Sequence, residues 1–247
     1  MYKLRLKFYK KEDMVFISHL DLIRLFERAF RRAYIPISYT KGYNPRPIMA
    51  FATALGIGVS SDGEYMDIEI QNKIELHELI NNLNNVLPDG IAIVEGRYID
   101  KSQSSLMSII NYSKYETKIV FYEDKEEKIV KNKLKTFLNL EEIIDIKEKK
   151  RKGKYKRPNK NALQEINIRD YIKGIDLVKI KGNEAILNMI LATGSNGNLK
   201  PEVVVDKIKE YVNLGIDTEK TRVHRLELYT QITPQYLTPL NITSLMK

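Results

Sequence analysis

Apolar and charged residues alternate near the start of the chain, which predicts a strand over residues 2–9. Apolar residues occupy every second position, and the positions between them hold Lys3, Arg5 and Lys7. Successive side chains of a strand point to opposite faces of a sheet. We therefore expect one face of this strand to lie in a core and its charged face to lie in water.

The pattern then changes to a helical period. Leu22, Phe26 and Ala29 are spaced by four and three residues, and this spacing predicts a helix over residues 18–33. A second amphipathic helix is predicted over residues 76–87. The predicted extended segments of this half are residues 35–39, 48–55, 64–71 and 91–98. The resulting order is β-α-β-β-α-β, the arrangement of ferredoxin-like domains.

The second half can be interpreted in the same way. Predicted strands cover residues 112–122, 143–146, 164–168, 175–191 and 222–230, and predicted helices cover residues 126–138 and 201–212. No strict repeat in the sequence establishes a duplication by itself. We predict an α+β fold of two tandem ferredoxin-like (βαββαβ) modules, the first in residues 1–100 and the second in residues 111–232.

Positive charge is concentrated in one segment of the second half. The chain has a net charge of +9, and residues 147–160 hold nine Lys or Arg against one Glu. Gly153 and Pro158 interrupt this run, which predicts a mobile loop. A local excess of positive charge favours a polyanionic partner such as RNA.

Composition excludes several kinds of site. The sequence has no cysteine and three histidines, so it cannot form a disulfide, a thiolate zinc site or a cysteine-ligated iron–sulfur cluster from its own residues. We expect no metal and no cofactor in this chain. No apolar run approaches the roughly 20 residues of a membrane helix, and the N-terminus lacks a signal-peptide core. We therefore expect a cytoplasmic protein without a membrane partner.

The segment Ser18-His19-Leu20-Asp21 is typical of a helix N-terminus. A serine followed three residues later by an acid matches a capping box, and capping is the role that we expect for Ser18 and Asp21. The alternative is a catalytic role for His19 and Asp21, because a neutral histidine in the first helical turn could exchange a proton with a ligand. No second histidine or cysteine lies near His19 in the sequence.

The same helix carries four arginines and no lysine. At about 100° per residue, Arg24, Arg28, Arg31 and Arg32 cluster opposite the apolar face. They could form a solvated surface. The exclusive use of arginine also suits planar, bidentate recognition of phosphate.

Two prolines make the following loop stiff. Pro45 and Pro47 fix their own φ and restrict Asn44 and Arg46 to extended geometry. An arginine with little backbone freedom loses less entropy on binding. Lys41, Tyr39 and Tyr43 add charge and stacking faces. We therefore predict a binding site here, with a rigid connection between strands as the alternative. Because the helix leads into the extended segment that carries this loop, we expect Arg28, Arg31 and Arg46 to converge near Tyr43.

A glycine-rich turn precedes the helix that begins near Pro201. Gly194, Ser195 and Gly197 could cradle an anion with their backbone N–H groups. The turn matches neither the Walker pattern nor the dinucleotide fingerprint, and a plain connection between strand and helix is the alternative.

Several segments together resemble the radical-SAM-linked proteins, a bacterial family of uncharacterised function. The matching segments are residues 16–21 (FISHLD), 27–33 (ERAFRRA), 35–36 (IP), 42–45 (GYNP), 51–52 (FA), 64–67 (EYMD), 192–194 (ATG) and 199–202 (LKPE). Arg46 departs from the family pattern, which has histidine there, so proton transfer at that loop is not implied. The resemblance implies a protein fused to, or encoded beside, a radical S-adenosylmethionine (radical SAM) enzyme in chemistry related to RNA or the ribosome.

We therefore expect an RNA-binding or substrate-presenting accessory protein of a radical SAM enzyme. An RNA-processing or RNA-modifying enzyme acting through His19 and Asp21 is one alternative, and a protein-interaction module is another. The residues expected to contact nucleic acid are Arg24, Arg28, Arg31, Arg32, Lys41, Tyr43, Arg46, Lys149, Lys150, Arg151, Lys152, Lys154, Lys156 and Arg157.

Overall fold

A computed structural model of the chain describes residues 1–148, 163–194, 197–232 and 235–242, and it has a mixed α+β fold with mostly antiparallel strands. The strands of the described residues are β1 (Tyr2–Lys10), β2 (Met49–Phe51), β3 (Ser60–Ile70), β4 (Ile91–Ile99), β5 (Tyr112–Phe121), β6 (Ile144–Glu148), β7 (Leu163–Asn167), β8 (Ile172–Lys181), β9 (Glu184–Ala192), β10 (Ile216–Ile232) and β11 (Gln235–Leu237). The α-helices are α1 (His19–Arg32), α2 (Leu76–Asn84), α3 (Leu106–Ile109), α4 (Glu127–Leu138), α5 (Pro201–Val212) and α6 (Pro239–Ile242). The predicted α+β class is confirmed.

The chain divides into two compact units, each of which is discontinuous in sequence. Unit 1 consists of Met1–Glu116, Ala192–Asn198 and Arg222–Lys247, and unit 2 consists of Thr117–Leu191 and Leu199–Thr221. Three of the four boundaries fall inside strands, namely β5, β9 and β10. The predicted division into residues 1–100 and 111–232 differs from these units, because a strand that supplies residues to both leaves no break in the sequence pattern.

In unit 1 the strands lie in the order β4–β1–β3–β10–β5, with β2 paired to β3 and β11 paired to β10. Strand β1 is antiparallel to both of its neighbours, while β10 runs parallel to β3 where His224 lies opposite Ser60. One face of β1 forms the predicted core, because Leu6 and Phe8 are fully buried in a cluster that includes Phe26 of α1. The predicted extended segment 48–55 is shorter than expected and is limited to β2.

The other face of β1 is also covered, and the prediction of a solvated charged face was wrong. Arg5 is 1% exposed. A second apolar cluster, which includes Tyr65 of β3, Leu106 of α3 and Leu240 of α6, forms in unit 1. The alternating sequence of β1 shows that its charged side chains share one face. It does not reveal whether a charged side chain meets a carboxylate on the neighbouring strand, as Arg5 does with Asp67.

In unit 2 the strands lie in the order β10–β5–β9–β8, and helix α4 packs against β8 and α5. The segment predicted as one extended stretch over residues 175–191 is a hairpin of β8 and β9. Its turn contains Gly182 with φ +59, in the left-handed region that favours glycine. Strands β6 and β7 form a separate antiparallel hairpin.

Candidate functional site

Helix α1 begins at the N-cap that the sequence predicted. The Ser18 hydroxyl accepts a hydrogen bond from the Asp21 backbone N–H at 3.2 Å and donates one to Asp21 Oδ2 at 2.6 Å. The hydrogen bond from Ser18 lowers the pKa of the Asp21 carboxyl, and Arg24 adds to this effect. The predicted N-cap role of Ser18 is therefore confirmed, whereas Asp21 Oδ2 accepts from the Ser18 hydroxyl instead of from the Ser18 backbone N–H, as a capping box would require. His19, in the first turn, places its ring edge-on to Phe51 with the centroids 5.4 Å apart.

The proline-rich loop folds so that the backbone of Arg46 is held on both sides. The Arg46 N–H donates to Thr40 Oγ1 at 3.0 Å, and the Arg46 carbonyl accepts from the Thr40 N–H at 2.8 Å. Tyr39 and Pro47 pair across the base of the loop. Gly42 has φ +139, a value that glycine adopts readily. Two hydrogen bonds that the sequence pattern did not indicate therefore hold the backbone of Arg46, in addition to the predicted restriction of its conformation by the prolines.

Helix α1 and the loop enclose a cleft of about 410 Å³, which we name the arginine cleft. It is lined by Leu20, Ile23, Arg24, Glu27 and Arg31 from the helix and by Tyr39, Pro45, Arg46 and Pro47 from the loop. Arg24 and Arg31 are seven residues apart, so they differ by only about 20° around the helix axis and face the same side. The sequence predicted that arginines of the helix and loop would converge, and this is observed for Arg31 and Arg46.

The cleft carries more positive than negative charge, since three guanidinium groups and one carboxylate line it. Arg24 forms an exposed ion pair with Asp21 at 3.2 Å. The side chains of Arg31, Arg46 and Glu27 make no ion pair or hydrogen bond with the residues that the structure describes. Uncompensated positive charge in a concave surface attracts anions.

Two of the predicted arginines lie outside the cleft. Arg28 and Arg32 are rotated by about 40° and 80° from Arg24, away from the side that Arg31 occupies. Arg28 Nε instead donates to the carbonyl oxygen of Arg24 at 3.2 Å. Arg32 lines a different cavity, of about 590 Å³, together with Tyr34. The expectation that Arg28 joins Arg31 and Arg46 was wrong, because the arc of helix surface that faces the loop is narrower than the arginine face.

One of the two tyrosines predicted to offer stacking faces, Tyr39, lines the cleft. Tyr43 is fully exposed and, like Lys41, does not line the cleft. Tyr39 takes this place because it lies at the base of the loop, whereas Tyr43 lies within its projecting part.

The predicted basic loop lies mainly outside the residues that the structure describes. This applies to Lys149, Lys150, Arg151, Lys152, Lys154, Lys156 and Arg157, and also to Ser195 of the glycine-rich turn. Gly194 is described, and a Cβ there would lie 2.5 Å from the carbonyl oxygen of Ile110. The Gly197 N–H donates to the Gly194 carbonyl at 3.4 Å. Close backbone packing accounts for Gly194, and anion binding at this turn stays a prediction.

Sequence reasoning missed a buried ion pair in unit 1. Arg5 Nε and Nη2 donate to the two carboxylate oxygens of Asp67 at 2.8 and 2.9 Å. The guanidinium also donates to the carbonyl oxygens of Pro239 and Ser104 at 3.1 and 3.3 Å. A buried charge is tolerated when it is paired and fully hydrogen-bonded, and Arg5 meets both conditions.

Two further pairs in unit 1 follow the same logic. Arg225 donates to Glu64 at 2.9 Å. Burial opposes the charge of Arg225, but Glu64 and Tyr115 together outweigh burial and raise its pKa. Lys7 lies 2.6 Å from Glu227, which also accepts from the Tyr65 hydroxyl at 2.8 Å. Burial and the Glu227 charge raise the pKa of Tyr65. Within the described residues these groups pair with one another, except that the buried Nε of Arg225 has no hydrogen-bond partner.

Another line of polar groups joins strands β3 and β10. Ser60 Oγ lies 2.8 Å from His224 Nδ1, and Asp62 Oδ2 lies 2.8 Å from His224 Nε2. Lys11 pairs with Asp62 at 2.6 Å. The order serine, histidine, aspartate occurs in nucleophilic triads. Neither cavity described above is lined by Ser60, so the arrangement is best interpreted as a link between the strands.

The described residues contain no group of three or more His, Asp or Glu side chains that could hold a metal ion. Within the same residues, no helix combines the length and the apolar character needed to cross a membrane. The expected absence of a cofactor stays a prediction.

The fold and cleft define a mixed α+β protein with a basic surface cleft. Residues 3–201 match the family DUF2344, described as an uncharacterised protein conserved in bacteria, and the chain belongs to this family. This confirms the coarser part of the resemblance, a bacterial family of uncharacterised function. No protein of curated function matches the chain in sequence.

Three solved structures are similar to the chain at low identity. A Cbf5–Nop10–Gar1 complex contains a chain that is 10% identical with a TM-score of 0.48; the match covers 91% of this chain and 48% of that one. An H/ACA RNP bound to a substrate RNA containing 2'-deoxyuridine contains a chain that is 10% identical with a TM-score of 0.46; the match covers 91% of this chain and 46% of that one. An archaeal box H/ACA sRNP Nop10–Cbf5 complex contains a chain that is 9% identical with a TM-score of 0.46; the match covers 90% of this chain and 46% of that one. The chain spans about half the length of the solved chains that it matches, and these weak similarities carry no argument about its function.

Proposed function

We propose that the protein binds RNA through the arginine cleft and presents it to a partner enzyme. The observation that carries the proposal is the convergence of Arg24, Arg31 and Arg46 from two elements on one cleft. Two of the three, Arg31 and Arg46, have no anionic partner among the described residues. A guanidinium group is planar and donates in pairs, which suits phosphate oxygens.

The rest of the cleft supports a nucleotide rather than a bare anion. Tyr39 is 43% exposed, so a ring face is available for a base to stack on. Leu20 and Ile23 add apolar surface beside the charges. The hydrogen-bonded backbone of Arg46 reduces the freedom lost on binding. The positive run in residues 147–160 supports a polyanion, because it would add to the attraction between the protein and a phosphate backbone.

The motif resemblance to radical-SAM-linked proteins supports a radical SAM enzyme as the partner. The chain has no cysteine, so a cysteine-ligated cluster would be held by that partner. In this proposal the present protein supplies the RNA-binding surface and the partner supplies the reaction.

We also infer that each unit is built on a ferredoxin-like module. The order β4–β1–β3–β2 in unit 1, with α1 after β1 and α2 after β3, supports this inference. In unit 2 the order β10–β5–β9–β8, with α4 after β5 and α5 after β9, supports it too. The β6–β7 hairpin would then be an insertion in the second module.

Binding of a fluorescently labelled single-stranded RNA at several salt concentrations tests the cleft. The double variant Arg31→Ala/Arg46→Ala should weaken binding by on the order of 1–3 kcal/mol or more. It should also reduce the slope of log affinity against log salt by about 1.4, since each lost single-strand phosphate contact contributes about 0.7.

The double variant Arg28→Ala/Lys41→Ala is the matched control, because it removes two exposed positive charges from the same helix and loop but outside the cleft. Tyr39→Ala against Tyr43→Ala gives the corresponding comparison for stacking. If the cleft variant and its control lost the same RNA affinity in either comparison, binding would depend only on net charge or on exposed side chains in general. That result would overturn the cleft as the binding site.

The rival functions give different results. An enzyme acting through His19 or Asp21 would alter RNA in the absence of any partner, and His19→Ala would abolish that change. The lowered pKa of Asp21 keeps its carboxyl ionised near neutral pH, which is an unfavourable state for a general acid. A protein-interaction module would show no salt-dependent RNA binding.

A further inference from the structure

A carboxylate lies among the arginines of the cleft without a partner. Glu27 is three residues after Arg24 and four before Arg31, and ion pairs commonly form at both spacings. Its side chain nevertheless makes no ion pair or hydrogen bond with any residue that the structure describes. Phosphate binding alone does not call for Glu27, because its negative charge repels phosphate. Its position favours a ligand that carries hydrogen-bond donors close to its phosphates.

The bases of RNA differ in the donors that they can offer to a carboxylate. Guanine presents N1–H and an N2 amino hydrogen side by side on its Watson–Crick edge, which matches the two oxygens of a carboxylate. Adenine and cytosine each present one amino group there. Uracil presents one N–H between two carbonyl oxygens, which a carboxylate repels. A half-buried carboxylate in a nucleotide site therefore prefers guanine.

The dimensions of the cleft agree with one nucleotide. Along the axis of α1, Glu27 lies about 4.5 Å from Arg24 and about 6 Å from Arg31, so a base edge and its flanking phosphates could be contacted together. The volume of about 410 Å³ lies within the usual range of roughly 300–1,000 Å³ for small-ligand sites. Tyr39 on the loop offers the stacking face. The Watson–Crick edge is free only when the base is unpaired, so the ligand is single-stranded.

We propose that the arginine cleft recognises an unpaired guanine of single-stranded RNA through the Glu27 carboxylate, while Arg24, Arg31 and Arg46 hold the adjacent phosphates. This inference rests on the proposed RNA binding and adds the identity of the base.

The test compares four RNA heptamers with uridine at every position except the central one, which is guanine, adenine, cytosine or uridine. The unmodified protein should bind the guanine heptamer about tenfold more tightly than the all-uridine one, in line with the discrimination of a bidentate base contact. Glu27→Gln should remove this preference and tighten binding to the all-uridine heptamer, because the carboxylate no longer repels its phosphates and carbonyl oxygens. Glu141→Gln is the control, since it removes the charge of an exposed residue that does not line the cleft.

Each other outcome has a distinct meaning. Binding without a guanine preference, or a preference that survives in Glu27→Gln, overturns the inference and leaves RNA binding intact. If Glu27→Gln raises the affinity for all four heptamers equally, Glu27 acts only as a negative charge, and the inference is also overturned. Failure to bind any heptamer overturns the proposed function itself. GMP that competes as well as the guanine heptamer would identify a free nucleotide, rather than RNA, as the ligand.

Discussion

Removal of the Asp67 carboxylate should destabilise unit 1 far more than removal of an exposed carboxylate. In Asp67→Asn the guanidinium of Arg5 stays 1% exposed but loses its charged partner. The acceptors that remain, the new amide oxygen at position 67 and the carbonyl oxygens of Pro239 and Ser104, are all neutral. Removal of one member of a buried pair costs about 3–5 kcal/mol, because the other charge is left buried and uncompensated.

The matched comparison is Glu184→Gln, which breaks the pair with Lys118 at 2.8 Å. Both side chains of that pair are about half exposed, and we expect a loss of about 0–1 kcal/mol. Urea unfolding at pH 7 and 25 °C, followed by circular dichroism and tyrosine fluorescence, measures both variants; the chain has 15 tyrosines and no tryptophan.

A third variant separates the pair from its packing. Arg5→Met/Asp67→Leu removes both charges, so it should be less destabilised than Asp67→Asn. The reasoning would be refuted if the free energy of unfolding of Asp67→Asn lay within about 1 kcal/mol of that of the unmodified protein. It would also be refuted if the double variant were less stable than Asp67→Asn.

Two further predictions concern the ends of helix α1. Ser18→Ala should cost about 1 kcal/mol of stability and raise the carboxyl pKa of Asp21 in an NMR titration, because the hydrogen bond that lowers it is lost. Since the folded pKa of Asp21 is depressed, its contribution to stability is complete above its unfolded pKa and is lost as the pH falls through the lower folded value. An unchanged Asp21 titration in Ser18→Ala would contradict this. Tyr34 follows the helix with φ +54 and is 92% exposed, so Tyr34→Gly should stabilise the protein by about 1 kcal/mol through relief of left-handed strain. A thermal melt that shows a loss would indicate that the tyrosine side chain has contacts of its own.

Local patterns in the sequence predicted what depends on near neighbours. The cap at Ser18 involves residues three apart, and the shared face of Arg24 and Arg31 follows from the helical repeat. The stiffness of the loop at Arg46 follows from its two prolines. Each of these inferences needs only the geometry of one element. The structure agrees with the first two, and the stiffness of the loop stays a prediction.

The buried pairs could not be predicted in this way. Arg5 and Asp67 are 62 residues apart, and Lys7 and Glu227 are 220 residues apart. Alternation places Arg5 and Lys7 on one face of a strand but does not say what covers that face. The sequence did not decide between Tyr39 and Tyr43 for a related reason: which tyrosine enters the cleft depends on how the loop turns relative to α1, and hydrogen bonds between Thr40 and Arg46 determine part of that turn.

Because unit 1 is discontinuous in sequence, its parts are synthesised at different times. Residues 1–116 emerge from the ribosome well before residues 222–242, which supply Glu227 for Lys7, Arg225 for Glu64 and the Pro239 carbonyl for Arg5. Until then the charged face of β1 lacks part of its cover, whereas the apolar face can already pack against α1 and α2. The nascent first half is therefore a half-finished sheet whose unsatisfied charges discourage premature burial of that face. The ion pairs of Lys7 and Glu64 can therefore form only after β10 has been made.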